Sequence, residues 1–230
     1  MKYVTPPFYW SLLFVVKAIV FTFARVEVIG KENMPRRGPV IVAANHFNNA
    51  DPPVLGATIP RRLAFMAKHE MFQWPVLGLA ARLGGCFPVR RFEADLGALR
   101  KATDVLRRGE ALAMFPEGAR SRDGEMHKAH PGTALLAVRT EAPILPVAIS
   151  GTENIVLIKL PLDLVRLRRP RIRVVVGAPF FLPPVERITT DEVERCTTII
   201  MGRIAALLPP PYRGEYAGAV SDAANPKGAR

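Results

Sequence analysis

The stretch Val40-Ile41-Val42-Ala43-Ala44-Asn45-His46-Phe47-Asn48-Asn49-Ala50-Asp51-Pro52-Pro53 runs five apolar residues straight into a polar loop holding a histidine, an aspartate and two prolines. Five residues without polar alternation describe a strand covered on both faces, hence one inside a mostly parallel sheet. The loop leaves the carboxyl end of that strand, where open α/β sheets place their ligand crevice. Pro52 disfavours helix before itself but tolerates a first helical turn, so Asp51 is expected at a helix N-cap. A bend of this kind returns a carboxylate to the His46 ring. The carboxylate fixes the tautomer and stabilises imidazolium, leaving the other nitrogen as a general base. An isolated pair at this spacing is most often a helix cap beside a hydrogen-bonded loop histidine, so its neighbours decide.

Further apolar runs recur outward from this segment: Arg25–Gly30, Leu63–Ala67, Cys86–Val89, Ala111–Phe115, Ile144–Ile149 and Ile172–Val176. Segments with helical period separate them. Leu96, Leu99, Thr103 and Leu106 share one helical face, with Gly109 following as a C′ residue. The last helix starts at a capping box, Thr189-x-x-Glu192, and carries Val193, Cys196, Ile200, Ile204 and Leu207 on one stripe. It stops at Pro209-Pro210-Pro211. The architecture expected is α/β: one domain over residues 25–208, its mostly parallel mixed sheet covered by helices. Residues 209–230 read as a disordered tail. No internal repeat is visible.

Phe8 to Ala24 is almost wholly apolar, with Lys17 near its middle and Tyr9 and Trp10 at its entry. It falls short of the ~20 residues of a typical span, and a central lysine would cost roughly 2.5–3.5 kcal/mol. Residues 1–24 are therefore read as an apolar helix lying in the membrane interface rather than crossing. Only Lys2 precedes it as a basic residue and no A-x-A site follows, which argues against a signal peptide. The expected location is the cytoplasmic face of the cell membrane, peripheral or monotopic.

The 230-residue chain has a formal charge of +12, with 49% hydrophobic and 23% charged residues. A chain this apolar buries a core, which excludes disordered and low-complexity classes. Two distant cysteines, Cys86 and Cys196, make neither a disulfide scaffold nor a metal-ligand spacing, and a reducing compartment fits. The charge admits nucleic acid, or an anionic membrane with anionic substrates. Against nucleic acid, aromatics are 8% of the chain and the densest basic run, Arg166–Arg173, has no aromatic interleaved. That run suits anionic headgroups, or the phosphates of a coenzyme A donor or an acidic carrier protein; it equally suits a strand edge kept from aggregating by charge.

Two more strand ends deliver arginines. Gly84-Gly85-Cys86-Phe87-Pro88-Val89-Arg90-Arg91 is one, and Phe115-Pro116-Glu117-Gly118-Ala119-Arg120-Ser121-Arg122-Asp123-Gly124 the other. A His-Asp pair beside several guanidinium groups describes a site for a compact anion next to a base.

With the blocks NHFNNADPP, GGCFPVRR, FPEGARSRDG and ILPVAI in order, the sequence resembles the glycerolipid acyltransferase family from roughly Arg25 to Gly177. Its best-known members are 1-acylglycerol-3-phosphate acyltransferases. The resemblance implies acyl transfer from acyl-CoA or acyl carrier protein to the free hydroxyl of 1-acylglycerol-3-phosphate, forming phosphatidic acid. It implies His46 as general base, Asp51 as its orienting group, and no metal or resident cofactor. Arg90, Glu117, Gly118 and Arg120 are implied on the acceptor's phosphate and glycerol, with Asn48 and Lys128 added to the substrate-binding set. Pro146 falls on the acyl-donor side. Asn48 and Ala119 stand where the family commonly has Ser and Thr, and His130 where Lys or Arg is common. These departures leave open another lysolipid or lipid-linked alcohol as acceptor. The remote alternative is a non-catalytic basic protein that binds nucleic acid or lipid.

Overall fold

The computed structural model describes residues 6–90, 95–121, 123–155 and 169–220. Arg91, Arg122, Arg166, Arg168 and residues 221–230 of the expected tail lie outside them. Seven strands form one sheet: β1 (Arg25–Ile29), β2 (Val40–Ala44), β3 (Leu63–Lys68), β4 (Cys86–Val89), β5 (Ala111–Met114), β6 (Ile144–Ser150) and β7 (Arg171–Val176). Each apolar run of the sequence is one of these strands, with ends within one residue. The order is β1-β7-β6-β2-β5-β3-β4. Every pairing is parallel except that of β6 with β7.

The six described α-helices are α1 (Pro6–Phe23), α2 (Asp51–Thr58), α3 (Pro75–Leu83), α4 (Leu96–Arg107), α5 (Gly132–Thr140) and α6 (Thr190–Leu207). Residues of β2 are buried on both faces and alternate between two cores. Ile41 and Ala43 pack with residues of α4, α5 and α6, and Val40, Val42 and Ala44 with Val54, Leu55 and Ile59 at α2. This two-sided burial is why the strand carries no polar alternation.

Two expectations need correction. The α4 face is rotated from the expected one: Leu106 is buried as expected, but beside Ala98, Ala102 and Val105, while Leu99 and Thr103 are half-buried and Leu96 is exposed. Gly109 does follow as the left-handed residue after that helix, at φ +71°. Second, residues 209–220 are not a disordered tail. Short 3₁₀ turns at Pro210–Tyr212 and Gly214–Tyr216 fold back onto the loop before α5. Met126 N donates to Tyr212 O, Glu215 N to Met126 O, and Ala129 N to the Tyr216 hydroxyl, whose ring is buried. Two tyrosines among small residues supply enough apolar surface to fix the segment, and α6 receives it at Gly202 against Ala219.

Helix α1 buries Tyr9 and Leu13 and leaves Phe8, Trp10, Phe14, Val15, Ile19 and Phe21 exposed. Arg169 donates to the Phe21 and Ala24 carbonyls at its carboxyl end, where a cation favours the helix dipole. Among the described residues no helix is long and apolar enough to cross a membrane.

Gly214 has φ +45°, and a Cβ there would lie 2.2 Å from the Met126 carbonyl oxygen. Gly214→Ala is therefore expected to cost at least about 1–2 kcal/mol in urea denaturation. An unchanged midpoint would show that the segment does not bear on the fold.

Candidate active site

The site sits at the carboxyl edge of the sheet, where β2 ends. Asn45 ties the loop to β6 by a reciprocal pair of bonds: its Nδ2 donates to Ile149 O and its Oδ1 accepts from Ile149 N, both at 2.8 Å. The chain then turns through His46, Phe47 and Asn48 into α2. Asp51 is not the N-cap expected from the sequence. Ala50 holds that position, and Asp51 is the first residue of the helix. Its carboxylate points back into the loop, where Oδ2 accepts from Phe47 N at 2.7 Å, Asn48 N at 2.7 Å and His46 Nδ1 at 2.9 Å. Asp51 is 0% exposed and His46 5%.

A carboxylate only accepts, so His46 Nδ1 carries the proton and Nε2 presents its lone pair. The ring is held flat by Phe115, with centroids 4.4 Å apart and planes at 29°. Tautomer and ring plane are both fixed before any substrate arrives.

The loop after β5 closes the other side. Glu117, 5% exposed, accepts from His46 N at 2.8 Å through Oε1 and from His127 N at 3.1 Å through Oε2. Ser121 N donates to His46 O at 3.0 Å, which brings the exposed Arg120 to the same loop. Gly118 takes φ +68°, and a Cβ there would come 2.6 Å from Cδ2 of His130. Only glycine fits between the turn and that ring. Its N–H donates to Phe115 O at 3.0 Å, so this amide is not free to stabilise an oxyanion.

The remaining expected site residues divide. Arg90 is exposed where β4 ends, at the same sheet edge but three strands from β2. Asn48 is engaged in scaffolding, its Oδ1 accepting from Ala50 N and its Nδ2 donating to Ile155 O. Lys128 is turned toward α6, its Nζ 3.6 Å from Glu194 Oε1. Pro146 lies buried inside β6, where the β7 ladder has already ended, so it packs in the core. Sequence reasoning missed Asn45, Phe115, Ser121 and Tyr212; the last stacks on Phe47 at 5.7 Å. An aromatic directly after a buried strand was the available signal for Phe115. Among the described residues no group of three or more His, Cys, Asp or Glu is placed to hold a metal ion.

The Acyltransferase family profile matches residues 25–150, more than half of the chain, and the protein belongs to that family. The match spans the His46–Asp51 loop, β4 and the Glu117 loop. A 1-acyl-sn-glycerol-3-phosphate acyltransferase of Borreliella burgdorferi is 31% identical over 132 residues, 56% of this chain and 53% of its own. A Bacillus subtilis protein of the same description is 30% identical over 139 residues, 60% of this chain and 69% of its own. A lyso-ornithine lipid O-acyltransferase of Pseudomonas aeruginosa is 33% identical over 115 residues, 50% and 44% of the two chains. The chain spans about half the length of the first of these relatives. The crystal structure of PlsC, the 1-acyl-sn-glycerophosphate acyltransferase of Thermotoga maritima, superposes with a TM-score of 0.64. It is 26% identical and covers 82% of this chain and 74% of that one.

Burial pushes the Glu117 carboxyl up to about 7, against the pull of the His127 and His46 backbone donors. A carboxyl raised on folding stabilises fully below its unfolded value of 4.5 and progressively less as pH rises through about 7. The loss reaches at most about 3 kcal/mol. The Tm of the wild type, measured relative to Glu117→Gln, is expected to fall between pH 5 and pH 8. A pH-independent difference would mean that Glu117 is ionised throughout.

Proposed function

We propose that this protein is an O-acyltransferase that moves an acyl group from a thioester, acyl-CoA or acyl carrier protein, to the free hydroxyl of 1-acylglycerol-3-phosphate, forming phosphatidic acid. The observation that carries the reading is the His46–Asp51 pair, buried, tautomer-fixed and bound through its backbone to the Glu117 loop. Nε2 of His46 takes the acceptor's hydroxyl proton as that oxygen attacks the thioester carbonyl. The C–O bond forms, the C–S bond breaks, and the departing sulfur takes the proton back from the imidazolium. Asp51 stabilises the charged ring during this passage. The thioester is already activated, so the protein's task is mainly positioning, worth up to about 7–11 kcal/mol in well-oriented systems. Arg120 and Arg90 hold the acceptor's phosphate on the β5–β4 side of His46. A matched relative that acylates lyso-ornithine lipid, together with His130 where the family commonly has Lys or Arg, favours a second acceptor class.

The acceptor carries one fatty chain and the product two, so the site must open to lipid. The 3₁₀ turn His69–Gln73 leaves β3 at the active-site edge and leads into Trp74 and α3, where Trp74, Val76, Leu77 and Leu79 are exposed. Helix α1, which packs against α3, exposes Phe14 and Ile19 as well. Exposed apolar side chains on two packed helices of a basic protein suit an in-plane seat on an anionic membrane, at the cytoplasmic face.

Two measurements test this reading. In a thiol-release assay with lysophosphatidate and acyl-CoA, His46→Ala should lose 10²–10⁴-fold while circular dichroism shows it still folded at the assay temperature, since positioned bases typically contribute about that much. Activity within tenfold of wild type would remove the general base. In flotation with anionic phospholipid vesicles at moderate salt, Phe14→Asp/Val76→Asp should move the protein to the unbound fraction; undiminished flotation would place the membrane contact elsewhere.

A further inference from the structure

The proposed reaction brings two anionic substrates to one base, and the acceptor's phosphate accounts for cations on only one flank of His46. The opposite flank carries its own. Because β7 and β1 run against β6, their first residues, Arg171 and Arg25, emerge at the edge where β6 and β2 end. A cleft of about 570 Å³ opens there between these strands and the segment Pro209–Tyr212.

The cations share a face because of strand alternation. Ile172 and Val174 point into the core beside α2, so Arg171 and Arg173 point the other way, toward the side of α6. On β1 the same alternation exposes Arg25 and Glu27. Register sets Arg25 opposite Arg171 and Glu27 opposite Arg173. Like charges directly opposite in a sheet are destabilising. Among the described residues neither Arg25 nor Arg171 has a carboxylate partner. Glu27 reaches Arg173 at 3.5 Å, but both groups are more than half exposed, so solvent screens the pair. Three guanidinium groups against Glu27 and the Glu153 carboxylate, which Gly151, Asn154 and Tyr212 hold at the far wall, still leave the cleft net positive, with Arg25 and Arg171 outside ion-pair reach of either acid.

The far wall joins the cleft to the catalytic loop. Tyr212 lines the cleft, donates to Glu153 Oε1 at 2.9 Å and stacks its ring on Phe47, the residue after His46. Strand β7 lies two positions from β2, about 10 Å across a sheet. An extended arm anchored by a phosphate among the arginines can therefore carry its other end to the His46 ring.

We infer that this cleft binds the phosphate end of the acyl donor's pantetheine arm, opposite the acceptor's phosphate across His46. The inference rests on the thioester-dependent reading above. Its chemistry is shared by the nucleotide phosphates of coenzyme A and by the phosphodiester of a carrier protein.

The test is kinetic and direct. In Arg25→Gln/Arg171→Gln, the KM for acyl-CoA should rise at least tenfold more than the KM for lysophosphatidate. It should also rise at least tenfold more than the KM for acyl-pantetheine, which lacks phosphate. Glu27→Gln should lower the KM for acyl-CoA. Calorimetry at low salt should show free coenzyme A bound by the wild type and at least tenfold more weakly by the double variant, with circular dichroism confirming an unchanged fold. If acyl carrier protein shows the KM rise and acyl-CoA does not, the phosphodiester is the ligand. A rise confined to lysophosphatidate, equal rises for all three substrates, or no rise with either phosphate-bearing donor would overturn the inference. Arginine-dependent coenzyme A binding without transfer to any lysolipid would sink the proposed reaction and leave the cleft standing.

Discussion

One buried oxygen organises the centre of this molecule. Oδ2 of Asp51 receives two backbone N–H groups and one imidazole N–H, all from the three residues beginning at His46. A carboxylate taken out of water costs several kcal/mol unless its oxygens are satisfied by good donors. Here the donors to Oδ2 come from a tight turn, so holding that oxygen and shaping the loop are one event, while Oδ1 is buried without a hydrogen-bond partner among the described residues. The loop cannot relax without stranding the charge, and the charge cannot move without releasing the ring. The tautomer of the histidine thus comes from local backbone geometry, while its ring plane comes from Phe115 at the end of the neighbouring strand.

Around that centre the fold recruits distant segments through main-chain contacts. Asn45 fastens the loop to β6, Glu117 accepts from the His46 amide, and Ser121 donates to the His46 carbonyl. Side chains that would bind substrate are thereby relieved of structural duty. Arg90 and Arg120 remain exposed, as the proposed phosphate site would require. The raised carboxyl of Glu117 is the exception, a buried acid held by two amides and destabilised by its own desolvation.

Much of this was legible in the residues alone. Continuous apolar runs such as Val40–Ala44 marked buried strands because both faces of a parallel sheet are covered, and the histidine-aspartate spacing followed from a strand turning into a proline-started helix. The comparisons with known acyltransferases agree with that reading at the level of family and fold. What could not be read depended on geometry that composition does not encode. The cap position went to Ala50 because Asp51 serves the loop rather than the helix end. The buried face of α4 includes two alanines, Ala98 and Ala102, which carry little hydrophobic signal in the sequence, beside Val105 and Leu106. Lys128 and Asn48 were drawn away by Glu194 and Ile155, partners remote in sequence. The segment after Pro211 looked like a tail because its few aromatic residues are anchors only when a receiving groove exists.

That receiving groove has a consequence for how the protein comes into being on the ribosome. Strand β1, the first of the seven strands to be made, pairs among the described strands only with β7, the last, and the loop behind Glu117 is braced by Tyr212 and Tyr216. Chains fold from the amino terminus as they are synthesised. The nascent polypeptide must therefore reach Tyr216 before the loop around His46 is fully braced, and a fragment released earlier would lack that bracing.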